Sequence, residues 1–168
     1  MTPDLFWIPG PWRGRLAVMT RPRGGDWLSD EASGWRESGL DVIVSLLEQE
    51  EAAQLGLFEE SRAAEDTGIR FISFPIPDRG VPASEQAAVS LINTISEALE
   101  KGRKVAVHCR QGIGRSGMIA AAVLASTGID SSRALESVSS ARGLSVPETK
   151  EQREWVQRLP FGPPVGAR

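Results

Sequence analysis

Short apolar segments alternate with amphipathic segments along most of the chain, and this alternation restricts the fold more than any other feature of the sequence. Residues 41–47 are apolar almost without a break, which is typical of a strand buried on both faces of a parallel sheet. The segments that predict strands are 15–19, 41–47, 69–74 and 104–107. The segments that predict helices are 27–38, 50–67 (which Gly56 can interrupt), 84–101, 116–127, 131–141 and 150–158. The order predicts an α/β fold with a central, mostly parallel sheet of four or five strands flanked by helices.

The most distinctive local sequence joins the last of these strands to the next helix. Residues 108–116, HCRQGIGRS, contain the only histidine and the only cysteine of the chain. A thiol at a strand-to-helix turn faces unsatisfied backbone N–H groups and the positive end of the helix dipole, which lower its pKa and favour a bound phosphate. Gly112 and Gly114 let the backbone curl into an anion nest. Arg115 adds a planar fork for two phosphate oxygens.

Parts of this loop also have simple structural explanations. A lone Cys109 after a buried strand is often only a small core residue, and glycine-containing turns between strands and helices are common in α/β proteins. It is the conjunction of His, Cys, two Gly, Arg and Ser at fixed spacing that favours a function. The loop therefore predicts a sulfur nucleophile that attacks a phosphate ester.

Composition restricts the domain count, the partners and the compartment. A length of 168 residues predicts one domain, and 40% hydrophobic with 24% charged residues is ordinary for a soluble globule. The net charge of -3, without a basic block, argues against nucleic acid or an anionic membrane as partner. We expect no membrane-spanning segment and no secretory signal at the N-terminus. A single cysteine forms no internal disulfide, and its predicted chemistry needs a reduced thiol, so we expect the protein to be cytoplasmic.

The pattern His108-Cys109-x5-Arg115-Ser116 resembles the signature loop of the cysteine-dependent protein tyrosine phosphatase superfamily. Residues 112–117 resemble its tyrosine-specific branch, whereas the short chain resembles the compact atypical dual-specificity and Cdc14-like branch. The resemblance covers about residues 13–159 and implies a single dual-specificity phosphatase-like domain over 1–168, without metal or cofactor. Residues 160–168, rich in Pro and Gly, are expected to form a flexible tail. The resemblance also implies a phosphate cradle, formed by Arg110, Gln111, Gly112, Ile113, Gly114 and Arg115.

A reaction of this kind needs an acid to protonate the leaving group. Asp78 is the best candidate, on a Pro-flanked loop directly after a predicted strand, although Pro-Asp-x-Gly is also an ordinary turn. Residues 74–78, FPIPD, resemble the mobile acid-bearing loop of these phosphatases, with Ile where tyrosine-specific members have Trp. Asp66 and Asp130 are the poorer candidates.

Two residues of the loop are expected to support the thiolate. By the resemblance, His108 hydrogen-bonds the backbone around the sulfur and shapes the loop, which overlaps with the alternative of a satisfied core histidine. Ser116 can donate its hydroxyl hydrogen to the sulfur, or it can simply cap the helix.

The sequence leaves open the role of Gln152 and the choice of the glutamate that pairs with Arg115. Gln152 completes a Thr-x-x-Gln capping box, while the resemblance implies that it positions the hydrolytic water. One of Glu48, Glu50 and Glu51 can pair with Arg115 and fix its fork, although most such charges are only solvated.

The sequence leaves the substrate open. Lipid phosphatases of the superfamily carry two basic residues in the loop, whereas here Arg110 is basic and Ile113 occupies the other position, which argues weakly against an inositol phosphate. We expect a monomeric phosphatase of phosphotyrosine, and also of phosphoserine and phosphothreonine, acting through a cysteinyl-phosphate intermediate. The alternatives are a phosphatase of small-molecule or lipid phosphates, a rhodanese-like sulfurtransferase, and a phosphoprotein-binding module without turnover.

Overall fold

The computed structural model describes residues 3–161 and contains one five-stranded sheet. The strands are β1 (Leu5–Ile8), β2 (Arg15–Met19), β3 (Val42–Ser45), β4 (Arg70–Ser73) and β5 (Lys104–His108). Their order across the sheet is β1-β2-β5-β3-β4, with β1 antiparallel to β2 and all other neighbours parallel. The predicted α/β fold with a mostly parallel sheet of four or five strands is confirmed.

Seven helices flank this sheet in the described part of the chain. They are α1 (Leu28–Glu37), α2 (Gln49–Gln54), α3 (Glu60–Asp66), α4 (Glu85–Glu100), α5 (Arg115–Ala125), α6 (Ser131–Arg142) and α7 (Lys150–Arg158). A short 3-10 helix, Gly25–Trp27, precedes α1, which begins one residue after the predicted start at Trp27. The predicted starts and ends of α4, α6 and α7 are confirmed to within one or two residues.

Two apolar clusters cover the two faces of the sheet. Alternate residues of β2, β3 and β5 project to opposite faces, because side chains of a strand alternate with period two. Val44 and Val107 belong to the larger cluster, which α4 and α5 help to build, whereas Ile43 and Ala106 belong to the smaller one with Trp35. Every residue of α5 is buried, as its nearly uniform apolar sequence predicted. The sheet therefore holds β5 and the start of α5 in the buried centre of the molecule.

The strand β1 was missed by the sequence analysis. Its four residues, LFWI, are too few to show a clear period and lie between prolines. The strand occupies the sheet edge next to β2, and Trp7 is covered by the guanidinium of Arg15 at 4.1 Å from the ring centroid. An edge strand of this kind is defined by its partner and not by its own sequence pattern.

The segment 50–67 forms two helices, α2 and α3, so the interruption that the sequence allowed at Gly56 is confirmed. Gly56 has φ +70°, a left-handed conformation that ends a helix, and its carbonyl accepts a 2.8 Å hydrogen bond from the N–H of Gly25. The break lets α2 and α3 take separate directions. It places Glu51 and Glu60, one from each helix, beside the end of β5.

The break at Gly56 can be tested against Gly68, a second glycine with positive φ (+80°). A Cβ at Gly68 meets nothing within 4 Å, so Gly68→Ala carries only the conformational cost of about 1–2 kcal/mol. A Cβ at Gly56 lies 3.0 Å from the backbone nitrogen of Gly25, so Gly56→Ala must also displace that backbone. Urea unfolding should show a larger loss of stability for Gly56→Ala than for Gly68→Ala. Equal or smaller loss would contradict this account of the helix break.

Candidate active site

The site lies where parallel strands end at one edge of the sheet, as in other open α/β folds. Cys109 follows β5 directly and is 2% exposed, and the loop 109–114 connects it to α5. The loop after β4 carries Asp78, and α2, which follows β3, carries Glu51. Three neighbouring strands thus deliver the nucleophile candidate, the acid candidate and a carboxylate to one place.

Side chains outside the loop hold the backbone of the loop in its curl. Gly112 has φ +71°. The Arg142 side chain, from the last turn of α6, donates to the Gly112 carbonyl at 2.8 Å and to the Gln111 carbonyl at 3.1 Å. Its guanidinium also stacks over the Phe6 ring at 4.2 Å from the centroid. With these carbonyls bonded outside the curl, the N–H groups of the loop remain free to face inward.

The Cys109 thiol is set up to ionise. Burial by itself disfavours the thiolate, but hydrogen bonds from the Ser116 hydroxyl and from the backbone N–H groups of Ser116 and Gly112, with the charge of Arg115, outweigh it and lower the pKa of Cys109. The Ser116 Oγ lies 3.2 Å from Sγ. The two backbone donors are those that an anion nest requires.

His108 lies fully buried behind the thiol and makes two hydrogen bonds. Its Nδ1 is 3.2 Å from the Cys109 carbonyl oxygen, and its Nε2 is 2.5 Å from a carboxylate oxygen of Glu60. Both partners are acceptors, so both ring nitrogens act as donors and the ring is an imidazolium. Burial opposes this charge, but the Glu60 carboxylate outweighs it and raises the pKa of His108. The expected contact of His108 with the loop backbone is present, whereas Glu60 was not predicted.

Arg115 is buried and is held by a carboxylate and a carbonyl. Its Nη1 and Nη2 donate to the two Glu51 oxygens at 2.6 and 2.9 Å, and Nη1 also donates to the Ile76 carbonyl at 2.9 Å. Of the three glutamates considered from the sequence, Glu51 is therefore the partner of Arg115. Since Glu51 takes the edge of the guanidinium formed by Nη1 and Nη2, the edge formed by Nε and Nη2 remains for a second bidentate anion.

This buried pair is reflected in the pKa values of both partners. Partial burial of Glu51 disfavours its charge, but the Arg115 hydrogen bond, the Glu48 backbone N–H and the charges of Arg115 and Arg110 lower its pKa. Burial likewise disfavours the charge of Arg115, and Glu51 and the thiolate outweigh it and raise the pKa of Arg115. Arg115 and Glu51 are therefore both charged.

The acid candidate lies at the mouth of the site. The Asp78 carboxylate is 3.3 Å from Nη2 of Arg115, and its side chain is 55% exposed. A pocket of about 150 Å³ opens here and is lined by Asp78, Cys109, Arg110, Gln111, Gly114 and Arg115, together with Arg79 and Glu148. Asp78 thus reaches the edge of the guanidinium that Glu51 leaves free, and it also contacts solvent.

Gln152 occupies a fully buried position between two loops. Its Oε1 accepts from the Thr149 N–H at 3.2 Å, which completes the predicted capping box, and its Nε2 donates to the Gly80 carbonyl at 3.0 Å. A Cβ built on Gly114 lies 3.1 Å from Oε1. Gln152 therefore ties the start of α7 to the Asp78 loop and packs against the phosphate loop. A 3.2 Å ion pair of Arg79 with Glu148 crosses the same gap.

The remaining predicted phosphate-binding residues are distributed around the loop. Arg110 is half-buried, with Nη1 3.7 Å from Glu51, and Gln111 is exposed. Ile113 packs its side chain against the apolar core, so only its backbone is left for an anion. The poorer acid candidates are not near the pocket: Asp66 ends α3 and Asp130 caps α6.

Three findings bear on other kinds of site. Within residues 3–161, no three His, Cys, Asp or Glu side chains group so as to hold a metal ion. No helix in the described chain is long and apolar enough to cross a membrane. A surface cleft of about 830 Å³, lined in part by Trp7 and Ile129, lies between β1 and α6, away from Cys109.

The sheet order, the loop and its buried arginine are those of cysteine-dependent protein tyrosine phosphatases. A family model described as "Polymorphic toxin system, DSP-PTPase phosphatase" matches residues 17–129, which include Asp78 and the whole loop. The chain belongs to this DSP-PTPase family.

Individual proteins give a consistent result. The Protein tyrosine phosphatase domain-containing protein 1 of Mus musculus is 37% identical over 94 residues, or 51% of this chain, and this match spans only 12% of that relative. The crystal structure of Tk-PTP in the active form has 30% identity and a TM-score of 0.75, covering 95% of this chain and 100% of that chain. A structure of kinase associated phosphatase, whose catalytic site cysteine is replaced by serine, has the same fold, with a TM-score of 0.81 at 18% identity and 93% coverage of both chains.

The contact of Glu60 with His108 leads to a testable pH effect. Glu60→Gln removes the carboxylate that keeps His108 charged, so the pKa of His108 should fall and the Cys109 thiolate should lose a nearby positive charge. The pKa of Cys109 should therefore rise, and the pH midpoint of thiolate absorbance at 240 nm should move to a higher value.

Glu59→Gln is the matched control, because Glu59 is an exposed glutamate next to Glu60 in the sequence. It removes the same charge from the surface and should leave the midpoint in place. Equal midpoints for the two variants would show that Glu60 does not support the thiolate.

Proposed function

We propose that this chain is a metal-independent phosphatase that hydrolyses phosphate monoesters through a cysteinyl-phosphate intermediate. One observation carries the proposal. A thiol with a lowered pKa lies below a pocket whose walls carry the free edge of the Arg115 guanidinium and the Asp78 carboxylate. Nucleophile, phosphate ligand and acid are then present in one place. We further propose that they act within one phosphatase domain over 1–168, with its core at about 13–159; most of the tail at 160–168 lies outside the described residues.

In the first step, the Cys109 sulfur attacks phosphorus, an S–P bond forms and the bond from phosphorus to the ester oxygen breaks. Arg115 and the backbone N–H groups of residues 110–114 hold the other phosphoryl oxygens. Asp78, in its acid form, gives its proton to the departing oxygen. Because a phosphate on the guanidinium takes the donor that Asp78 contacts here, the acid is displaced toward the leaving group.

In the second step, a water molecule attacks phosphorus, Asp78 accepts the proton from that water, and the S–P bond breaks to release the thiolate and inorganic phosphate. The Ser116 hydroxyl stabilises the sulfur as it leaves. We propose that Gln152 positions this water. Each polar atom of its amide makes one hydrogen bond here, so one N–H and one lone pair remain available.

The family and the pocket support a proposal for the substrate class. We propose phosphotyrosine, with phosphoserine and phosphothreonine also accepted. A pocket of about 150 Å³ is smaller than a typical ligand site and suits a phosphoryl group whose leaving group stays largely outside. A phosphatase of small-molecule or lipid phosphates is the second candidate, favoured by the positive charge of Arg110 at the pocket wall. Family membership removes the sulfurtransferase alternative.

The oligomeric state, the cellular location and the partners of the protein are part of the same proposal. All the residues invoked belong to one chain, which supports action as a monomer. The lone Cys109 must stay reduced, which supports a cytoplasmic location. The net charge of -3 supports a phosphorylated protein or small phosphate ester, and not nucleic acid or a membrane, as partner.

Cys109→Ser tests the nucleophile. Turnover of p-nitrophenyl phosphate should fall to the background rate, because a serine hydroxyl is not ionised at neutral pH. Phosphate and vanadate should still bind, measured by calorimetry, because Arg115 and the loop N–H groups remain. Activity close to that of the native enzyme would rule out the covalent mechanism, whereas efficient phosphopeptide binding by a native chain without turnover would favour a binding module.

Asp78→Ala tests the acid. Rates should fall on the order of 10²–10⁴-fold for an alkyl phosphate, whose leaving group needs a proton, and much less for an aryl phosphate with an acidic phenol. The basic limb of the pH–rate profile should flatten. Asp66→Ala is the control, since Asp66 lies at the end of α3 and should leave both rates unchanged. Equal losses on the two substrates in Asp78→Ala would place the acid elsewhere.

A further inference from the structure

A second cleft adjoins the phosphate pocket. It has a volume of about 440 Å³ and runs from the loop after β2, residues 20–24, to Leu55. Arg110 and Gln111 line both this cleft and the pocket of Cys109. A substrate held by its phosphoryl group in the pocket therefore has its neighbouring groups at the edge of this cleft.

The charged residues that line the cleft are all arginines, Arg21, Arg23 and Arg110. Two carboxylates lie close to them. Glu31 accepts from Nε of Arg23 at 2.5 Å, and Glu51, at 3.7 Å from Arg110, is already paired with Arg115. Of the three arginines, only Arg23 has a carboxylate of its own to balance its charge. The cleft therefore stays positive although the chain has a net charge of -3. Concentration of one sign of charge in a concave surface attracts ligands of the opposite sign.

The arginines are also held in position. Nη1 of Arg21 donates to the Arg110 carbonyl at 3.4 Å, and the Arg23 guanidinium lies over the Trp27 ring at 4.3 Å from the centroid. These contacts leave most of the guanidinium N–H groups of both residues free to donate. A guanidinium fixed in this way loses less conformational freedom when it binds a carboxylate or phosphate.

We propose that this cleft, which we call the second anion site (Arg21, Arg23 and Arg110), binds a second negatively charged group of the substrate. The inference rests on the proposed phosphatase function and narrows its substrate class to acidic phosphopeptides. The cleft is larger than the phosphate pocket and has Pro22 and Leu55 as apolar walls, which suits an amino-acid side chain. Successive residues of a peptide are at most about 3.3–3.6 Å apart along an extended chain, so a glutamate or phosphoserine one or two positions from the phosphotyrosine reaches it.

The test measures binding and turnover separately. Binding is measured on Cys109→Ser protein with two phosphotyrosine peptides that differ only in the flanking residues, Glu in one and Gln in the other. The acidic peptide should bind about three- to tenfold more tightly, the range expected for one or two partly exposed charge pairs, and the preference should shrink at high salt. Turnover of p-nitrophenyl phosphate, which has no second anion, is followed in parallel on protein with Cys109 intact.

Arg21→Gln combined with Arg23→Gln should remove most of the preference in binding, because only Arg110 of the site remains, and should leave p-nitrophenyl phosphate turnover within about twofold of the native rate. Arg13→Gln is the charge-matched control. Arg13 is an exposed arginine that precedes β2, whereas the second anion site lies beyond the other end of that strand. It should keep the preference. The single variant Arg21→Lys, in which Arg23 is unchanged, retains the positive charge. It should therefore show more of the preference than the double variant does.

Three results would overturn the second anion site. One is equal affinity of the native site for both peptides. Another is a preference that is undiminished in the double variant. The third is tight, Arg21-dependent binding of a small bisphosphate with no difference between the peptides, which would assign the cleft to a small molecule. Failure of the proposed phosphatase function would look different: p-nitrophenyl phosphate turnover would be absent, whatever the two peptide affinities show.

Discussion

The bidentate pair of Arg115 with Glu51 is the interaction on which the rest of the site depends. Arg115 begins α5, the fully buried central helix, and is itself 2% exposed. A buried guanidinium is stable only when its charge and N–H groups are matched, and Glu51 with the Ile76 carbonyl supplies that match. The same contacts join α5, α2 and the Asp78 loop. The charge that we propose to hold phosphate therefore also fixes the elements around the pocket.

A second buried pair supports the sulfur from behind. His108 and Glu60 place an imidazolium at the end of β5, and that strand is held between β2 and β3 in the middle of the sheet. Two carboxylates from the separate helices α2 and α3 thus each hold one cation beside Cys109. The thiolate is stabilised by these fixed charges and by local N–H groups, and not by solvent, because the sulfur is buried.

The mouth of the site is held much less firmly than its base. Asp78 is half exposed, and its loop is tied down by the Gln152 hydrogen bond to Gly80 and the exposed pair of Arg79 with Glu148. Exposed ion pairs contribute little to stability, so the part of this loop beyond Ile76, whose carbonyl is bonded to Arg115, is among the parts of the site that change position at low cost. This division suits the proposed mechanism, in which a rigid loop holds the phosphate and Asp78 moves from the guanidinium to the leaving group.

The sequence by itself determined the α/β fold, four of the five strands, the buried central helix and the family to which the motif at residues 108–116 belongs. These features are local: they depend on the period of apolar residues and on a contiguous motif at a strand-to-helix turn. Only the tertiary structure decided that Glu51 and not Glu48 or Glu50 holds Arg115, that Glu60 charges His108, and that Arg142 bonds the outer carbonyls of the loop. The two residues of each pair are far apart along the chain, with separations of 64, 48 and 30 residues. Their choice depends on where Gly56 breaks a helix and how α6 packs on the sheet. A glutamate on an amphipathic helix has the same local sequence signal whether it is solvated or buried against a cation, and only packing separates the two.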